Sequence, residues 1–155
     1  MAQFIRWYDN ALKPEICRDI IARFDADPRK IVGKVSGNAG PEVDLKGKQT
    51  IELILPDKGW DDIKQALQQS LSVGLGQYQR DVTFLAGSDH KELYCEPLRV
   101  KKYEIGGQFS WHIDCNSAQN HSRALAVQWY FNTVAEGGAT EFADQKVAVS
   151  CAEGR

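Results

Sequence analysis

Nowhere does this 155-residue chain string together the roughly 18 apolar residues that would carry a helix across a bilayer. Its start, Met1-Ala2-Gln3-Phe4-Ile5-Arg6-Trp7, has no basic stretch leading into an apolar one, so a secretory signal is not expected. Basic charge is not in excess either: 19 Lys and Arg stand against 21 Asp and Glu, a formal net charge of -2. That removes the electrostatic argument for nucleic acid as a partner. Cys17, Cys95, Cys115 and Cys151 form no C-x-x-C pair, and their wide spacing fits free thiols better than a disulfide framework. No internal repeat or low-complexity tract breaks the sequence. What remains is a single domain whose 43% hydrophobic residues suffice for a core. The expectation is a cytoplasmic protein with no membrane partner.

Apolar residues at Ile16, Ile20, Ile21 and Phe24, with Pro14 suited to a first turn, predict an amphipathic helix over 13–24. Trp60, Ile63, Leu67, Leu71 and Leu75 recur at three-to-four spacing and predict a second helix over 60–78. Between them, 49–55 reads as a strand, and 31–47 as a short strand running into a mobile loop rich in glycine. The irregular segment 33–48 is where a lid that sets specificity is expected. Beyond Gly87-Ser88-Asp89-His90 the texture changes to short strands over 93–105, 109–114, 123–132, 139–142 and 146–151. Helices first and strands afterwards indicate an α+β arrangement, with helical support over 1–80 and a β-rich portion over 93–155.

His112-Ile113-Asp114 carries the most chemistry per residue. On an extended strand side chains alternate faces, so His112 and Asp114 project from the same side and can share one metal ion. An imidazole and a carboxylate are two of the three donors in the facial set that holds non-haem Fe(II) and leaves positions open. Cys115 follows directly, but strand parity turns it the other way. It reads as a small buried hydrophobe.

The longer context carries a family resemblance. Tyr103-Glu104-Ile105-Gly106-Gly107-Gln108-Phe109-Ser110-Trp111-His112-Ile113-Asp114 resembles the "Y-x-x-G-x-x-F-x-x-H-x-D" segment of the prolyl 4-hydroxylase-like 2-oxoglutarate- and Fe(II)-dependent oxygenases. Arg123 to Asn132 is similar to the family's "R-x-x-T-x-x-x-Y-L-N" strand, and Glu136-Gly137-Gly138-Ala139-Thr140-Glu141-Phe142 to its "G-G-E-T-x-F" turn. The opening from Leu12 resembles the family's "L-S-x-E-E-C-x-x-L-I" helix.

The resemblance implies a double-stranded β-helix, a jelly roll braced by the N-terminal helices, with Fe(II) held at one mouth by His112 and Asp114. It implies 2-oxoglutarate as cosubstrate, with ascorbate a candidate addition, and O2 as oxidant. Tyr103, Tyr130 and Arg123 would line the cosubstrate pocket, a phenol being able to donate to a carboxylate without adding charge. Gly106 and Gly107 would allow a tight turn before the ligand strand. The implied reaction hydroxylates a prolyl or similar side chain of a peptide or small molecule as 2-oxoglutarate is decarboxylated to succinate.

One departure accompanies the match. The family's second histidine, and the basic residue that follows it, come after a strand that the tail Val147 to Arg155 resembles. The chain is therefore expected to stop just before the distal histidine, with two closing strands missing, and a second chain is a candidate cover for the open barrel edge. His121, in a polar loop, is a weaker substitute for the third ligand, and His90 reads as a surface residue. Two other classes stay open: a catalytically incompetent jelly roll serving as an interaction domain, and a cupin-like binder of another metal or a sugar. Trp111 and Trp129 read as core packing, and Lys101-Lys102 as a solvated patch.

Overall fold

Pro14 occupies the first position of the first helix, where its absent N–H is no loss and its fixed φ is already helical. A computed structural model describes residues 4–37, 40–82, 94–115 and 120–155. In chain order the elements are α1 (Pro14–Ala26), β1 (Ile31–Val32), β2 (Val35–Gly37), β3 (Gly40–Glu42), β4 (Ile51–Ile54), α2 (Asp61–Asp81), β5 (Arg99–Lys102), β6 (Thr140–Phe142) and β7 (Val147–Val149). They divide into two compact units interleaved along the chain: Met1–Asp25 with Asp57–Cys95 and Gln128–Arg155, and Ala26–Pro56 with Glu96–Val127. No helix among the described residues is long and apolar enough to cross a membrane.

The first unit holds the two helices and one hairpin. In α1 the buried residues are Cys17, Ile20 and Phe24, at i, i+3 and i+7, one face of a helix. Ile21, anticipated as part of that stripe, is exposed. In α2, Ile63 and Leu67 are buried and Trp60 is buried just ahead of the first turn; Leu71 and Leu75 are half-buried. Arg23 joins the helices, its Nη2 lying 2.7 Å from both Asp19 Oδ2 and Asp62 Oδ2. Strands β6 and β7 pair antiparallel, Thr140 opposite Val149 and Phe142 opposite Val147.

The second unit is built on an antiparallel sheet of order β1-β4-β5, with Leu53 opposite Val100 at its centre. Both of those side chains are buried. The segment anticipated as a loop contains a second ladder, β2 against β3, with Val35 opposite Glu42. The two strands pair along their backbones, which periodicity of side chains does not signal.

A jelly roll is not evident in this arrangement. Among the described residues the strands run from two to four residues and form one three-stranded and two two-stranded sheets. Residues 110–114 of the strand anticipated over 109–114, and 123–132, also anticipated as a strand, follow irregular backbone. Their β-rich composition favours a pleated surface only where a neighbouring strand completes the hydrogen bonds.

Candidate functional site

The site grows from the strand face that leads into β4. Lys48, Thr50 and Glu52 are buried and alternate with the exposed Gln49 and half-buried Ile51, so all three point to one side. Glu52 is 1% exposed and Lys48 4% at their side chains, with Nζ 2.7 Å from Oε1. Thr50 Oγ1 donates to Glu52 Oε1 at 2.9 Å and Arg99 Nη1 to Oε2 at 2.9 Å. Lys48 also donates to the Lys34 carbonyl at 3.0 Å. Burial alone pushes the Glu52 carboxyl up; the hydrogen bond and charge of Lys48, with Thr50 and Lys101, outweigh it and hold the group below its ordinary value. A buried carboxylate is tolerated because its lone pairs are this well occupied.

The residues just before Trp111 are pinned onto this strand. Lys48 and Phe109 form an antiparallel bridge. Gln49 N donates to Gln108 O and Ser110 N to Gly47 O, both at 2.8 Å. The turn that delivers the segment uses Gly106 at φ 77°, a region that favours glycine. At Gly107 a Cβ would sit 2.9 Å from the Glu104 carbonyl oxygen and 3.1 Å from that of Gln49, so no side chain fits.

Two contacts then orient His112. Its ring stacks on Phe109, centroids 3.6 Å apart at 19°, and its Nδ1 lies 2.7 Å from the Ser110 carbonyl oxygen. A carbonyl only accepts, so this contact takes a proton on Nδ1. The other ring nitrogen faces Asp114, with Nε2 3.3 Å from Oδ1. Two donors about 2.1 Å from one cation and at right angles across it stand about 3 Å apart. The pair has the spacing and chemistry for that role, and a backbone acceptor on the far imidazole nitrogen is the usual companion of a ligating histidine. The side chains are 39% and 51% exposed, so a ligand can reach them.

Arg123 braces the other end of the motif. Its Nη1 donates to the Asp114 carbonyl at 3.2 Å and its Nη2 to Glu96 Oε2 at 2.8 Å. The Glu96 hydrogen bond raises the guanidinium pKa further, and Arg123 in turn holds Glu96 below the usual carboxylate range. Tyr103, anticipated as cosubstrate-binding, lies just past β5 and is 45% exposed. Tyr130 belongs to the other unit, where its hydroxyl donates within 2.6 Å of Thr140 Oγ1 and receives Gln128 Nε2 at 2.6 Å.

Several anticipated features are corrected. His112 and Asp114 meet across irregular backbone, not on a pleated strand. Cys115 is exposed, because without a pleat its parity no longer turns it inward. Trp111, anticipated in a core, is 67% exposed. His121 is exposed and follows the buried Asn120, whereas His90 lies outside the described residues. Among the described residues no three His, Cys, Asp or Glu side chains gather at one point. Sequence reasoning missed Lys48, Glu52 and Glu96. The first two had a readable signal, opposite charges four apart on one strand face. Comparisons with protein-family models, curated proteins and solved structures return no match.

Proposed function

We propose that the chain is a 2-oxoglutarate- and Fe(II)-dependent dioxygenase of the prolyl 4-hydroxylase-like kind, acting on a prolyl or similar side chain. One observation carries the reading: His112 Nε2 and Asp114 Oδ1 face each other at 3.3 Å while His112 Nδ1 is committed to the Ser110 carbonyl. Fe(II) with 2-oxoglutarate, when bound, supplies oxidation of a C–H bond coupled to decarboxylation of the cosubstrate.

The chain's own residues bind and orient. His112 offers an imidazole nitrogen and Asp114 a carboxylate oxygen, a donor pair suited to a ferrous ion that must keep positions open. Arg123 steadies the Asp114 backbone through its carbonyl. Tyr103 is the proposed donor to a cosubstrate carboxylate, exposed enough to be reached. A corresponding role for Tyr130 rests on the motif resemblance alone.

Anaerobic titration of the purified chain with Co(II), as a coloured substitute for Fe(II), with and without 2-oxoglutarate tests the reading, together with succinate release under Fe(II) and O2. The expected result is saturable Co(II) binding that 2-oxoglutarate strengthens. His112→Ala and Asp114→Ala should each weaken it by more than about 100-fold, since even outer partners of a ligand are worth 10–100-fold. Native affinity in either variant refutes the assignment. A native chain that takes up neither Co(II) nor a 2-oxoglutarate analogue favours the interaction-domain alternative.

A further inference from the structure

The Lys48–Glu52 pair is almost wholly buried, too far from solvent to serve a ligand directly, yet its strand contacts the segment that carries His112. Lys48 Nζ lies 4.8 Å from the centroid of the Phe109 ring, within cation–π range, and that ring stacks on the His112 imidazole. The backbone runs the same way. Gly47 O accepts from Ser110 N, and Ser110 O is the atom facing His112 Nδ1. Both handles on the imidazole, one ring and one carbonyl, thus stand on residues fixed by the strand bearing Lys48. Lys48 is itself fixed, with Nζ held by Glu52 Oε1 at 2.7 Å and the Lys34 carbonyl at 3.0 Å.

We propose that Phe109 and Lys48 are positioning residues for the His112–Asp114 pair. Lys48 holds the Phe109 ring, and the ring with the Ser110 carbonyl keeps the imidazole oriented with Nδ1 on that carbonyl and Nε2 turned to Asp114. An unstacked imidazole on irregular chain would rotate about χ1 and χ2, and its Nε2 would spend little time beside Asp114. The proposal rests on the reading of the pair as metal ligands, but the orientation of the ring is measurable without any metal.

The experiment is 15N NMR of the histidine side chains in the full chain above about pH 8, where imidazoles are neutral, with His112→Gln identifying the His112 signals. Co(II) titrations run alongside. The native spectrum should show a proton held on Nδ1 of His112, not averaged between the two ring nitrogens. Phe109→Leu keeps apolar bulk but removes the stacking face; it should give averaged tautomers and Co(II) binding weakened about 10-fold or more, as for other groups that orient a ligand. Phe109→Tyr restores the ring and should restore both readouts, which a mere packing role would not require. Lys48→Met paired with Glu52→Gln removes the ammonium without stranding a charge, and should shift the His112 signals in the same sense as Phe109→Leu. A native His112 already averaged between tautomers, or one unchanged in Phe109→Leu, overturns the proposal. The expected NMR pattern in a chain that binds no Co(II) supports the positioning and overturns the metal reading instead.

Discussion

Glu52 shows how much a single side chain can carry in this fold. At 1% exposure with Lys48, Thr50 and Arg99 around it, it balances a buried ammonium that would otherwise stand alone. Breaking a buried pair from one side costs about 3–5 kcal/mol, whereas replacing both members by apolar groups is often neutral. Glu52→Gln should therefore lower the unfolding free energy in urea by about 3–5 kcal/mol. Lys48→Met with Glu52→Leu should recover most of that loss; a double variant as unstable as the single would contradict the pairing. The pair was readable from Lys48, Thr50 and Glu52 recurring every second residue. The closeness of His112 to Asp114 was readable from their spacing, but the route was not. It depends on the Ser110 carbonyl and the Phe109 ring, and a backbone oxygen has no signature in a string of side chains. Cys115 was misjudged for the same reason, since parity holds only along a pleated strand.

The helices were the most legible elements, since an amphipathic stripe needs no partner to be recognised. Within α1, however, Cys17 rather than Ile16 completes the buried face with Ile20 and Phe24. Ile20→Ala should cost about 2–5 kcal/mol, as truncation of a fully buried aliphatic does. Ile21→Ala, on the exposed side, should stay within about 1 kcal/mol. Equal losses at the two positions in urea denaturation would mean that the buried face is drawn wrongly. Strands were less legible. The stretch 123–132 has the composition of a strand but irregular backbone, whereas Val35–Gly37 and Gly40–Glu42, in a stretch dense in glycine, form a ladder. Pairing is decided by what lies alongside, and that information is far away in the chain.

Across the protein, each unit holds a buried or half-buried group whose titration is shifted. The Glu52 carboxyl is held below its ordinary value, so its contribution is complete above the ordinary carboxylate range, about pH 4, and is lost as pH falls through the lower folded value. In the other unit, burial and then the hydrogen bond to Asp81 push the Tyr8 phenol up to about 12. Its contribution is complete below about pH 10 and is lost as pH rises through the folded value. Thermal melts should thus drop below about pH 4 and again above about pH 10. The Trp111 emission, isolated by subtracting a Trp111→Phe melt, should respond first at the acid end. Trp7, Trp60 and Trp129, all in the helical unit, should respond first at the alkaline end; the reverse order would contradict both assignments. The interleaving of the units was not legible, because no periodicity marks where a chain crosses from one core to another.

That interleaving also orders events during synthesis. The Leu12 amide donates to the Gly154 carbonyl at 3.1 Å, so the helical unit cannot close its longest loop until residue 154 has cleared the ribosome. The residues of the sheet-bearing unit end at Val127. On the nascent polypeptide the residues of the histidine–aspartate pair therefore emerge first, and α1 waits for the tail that secures it.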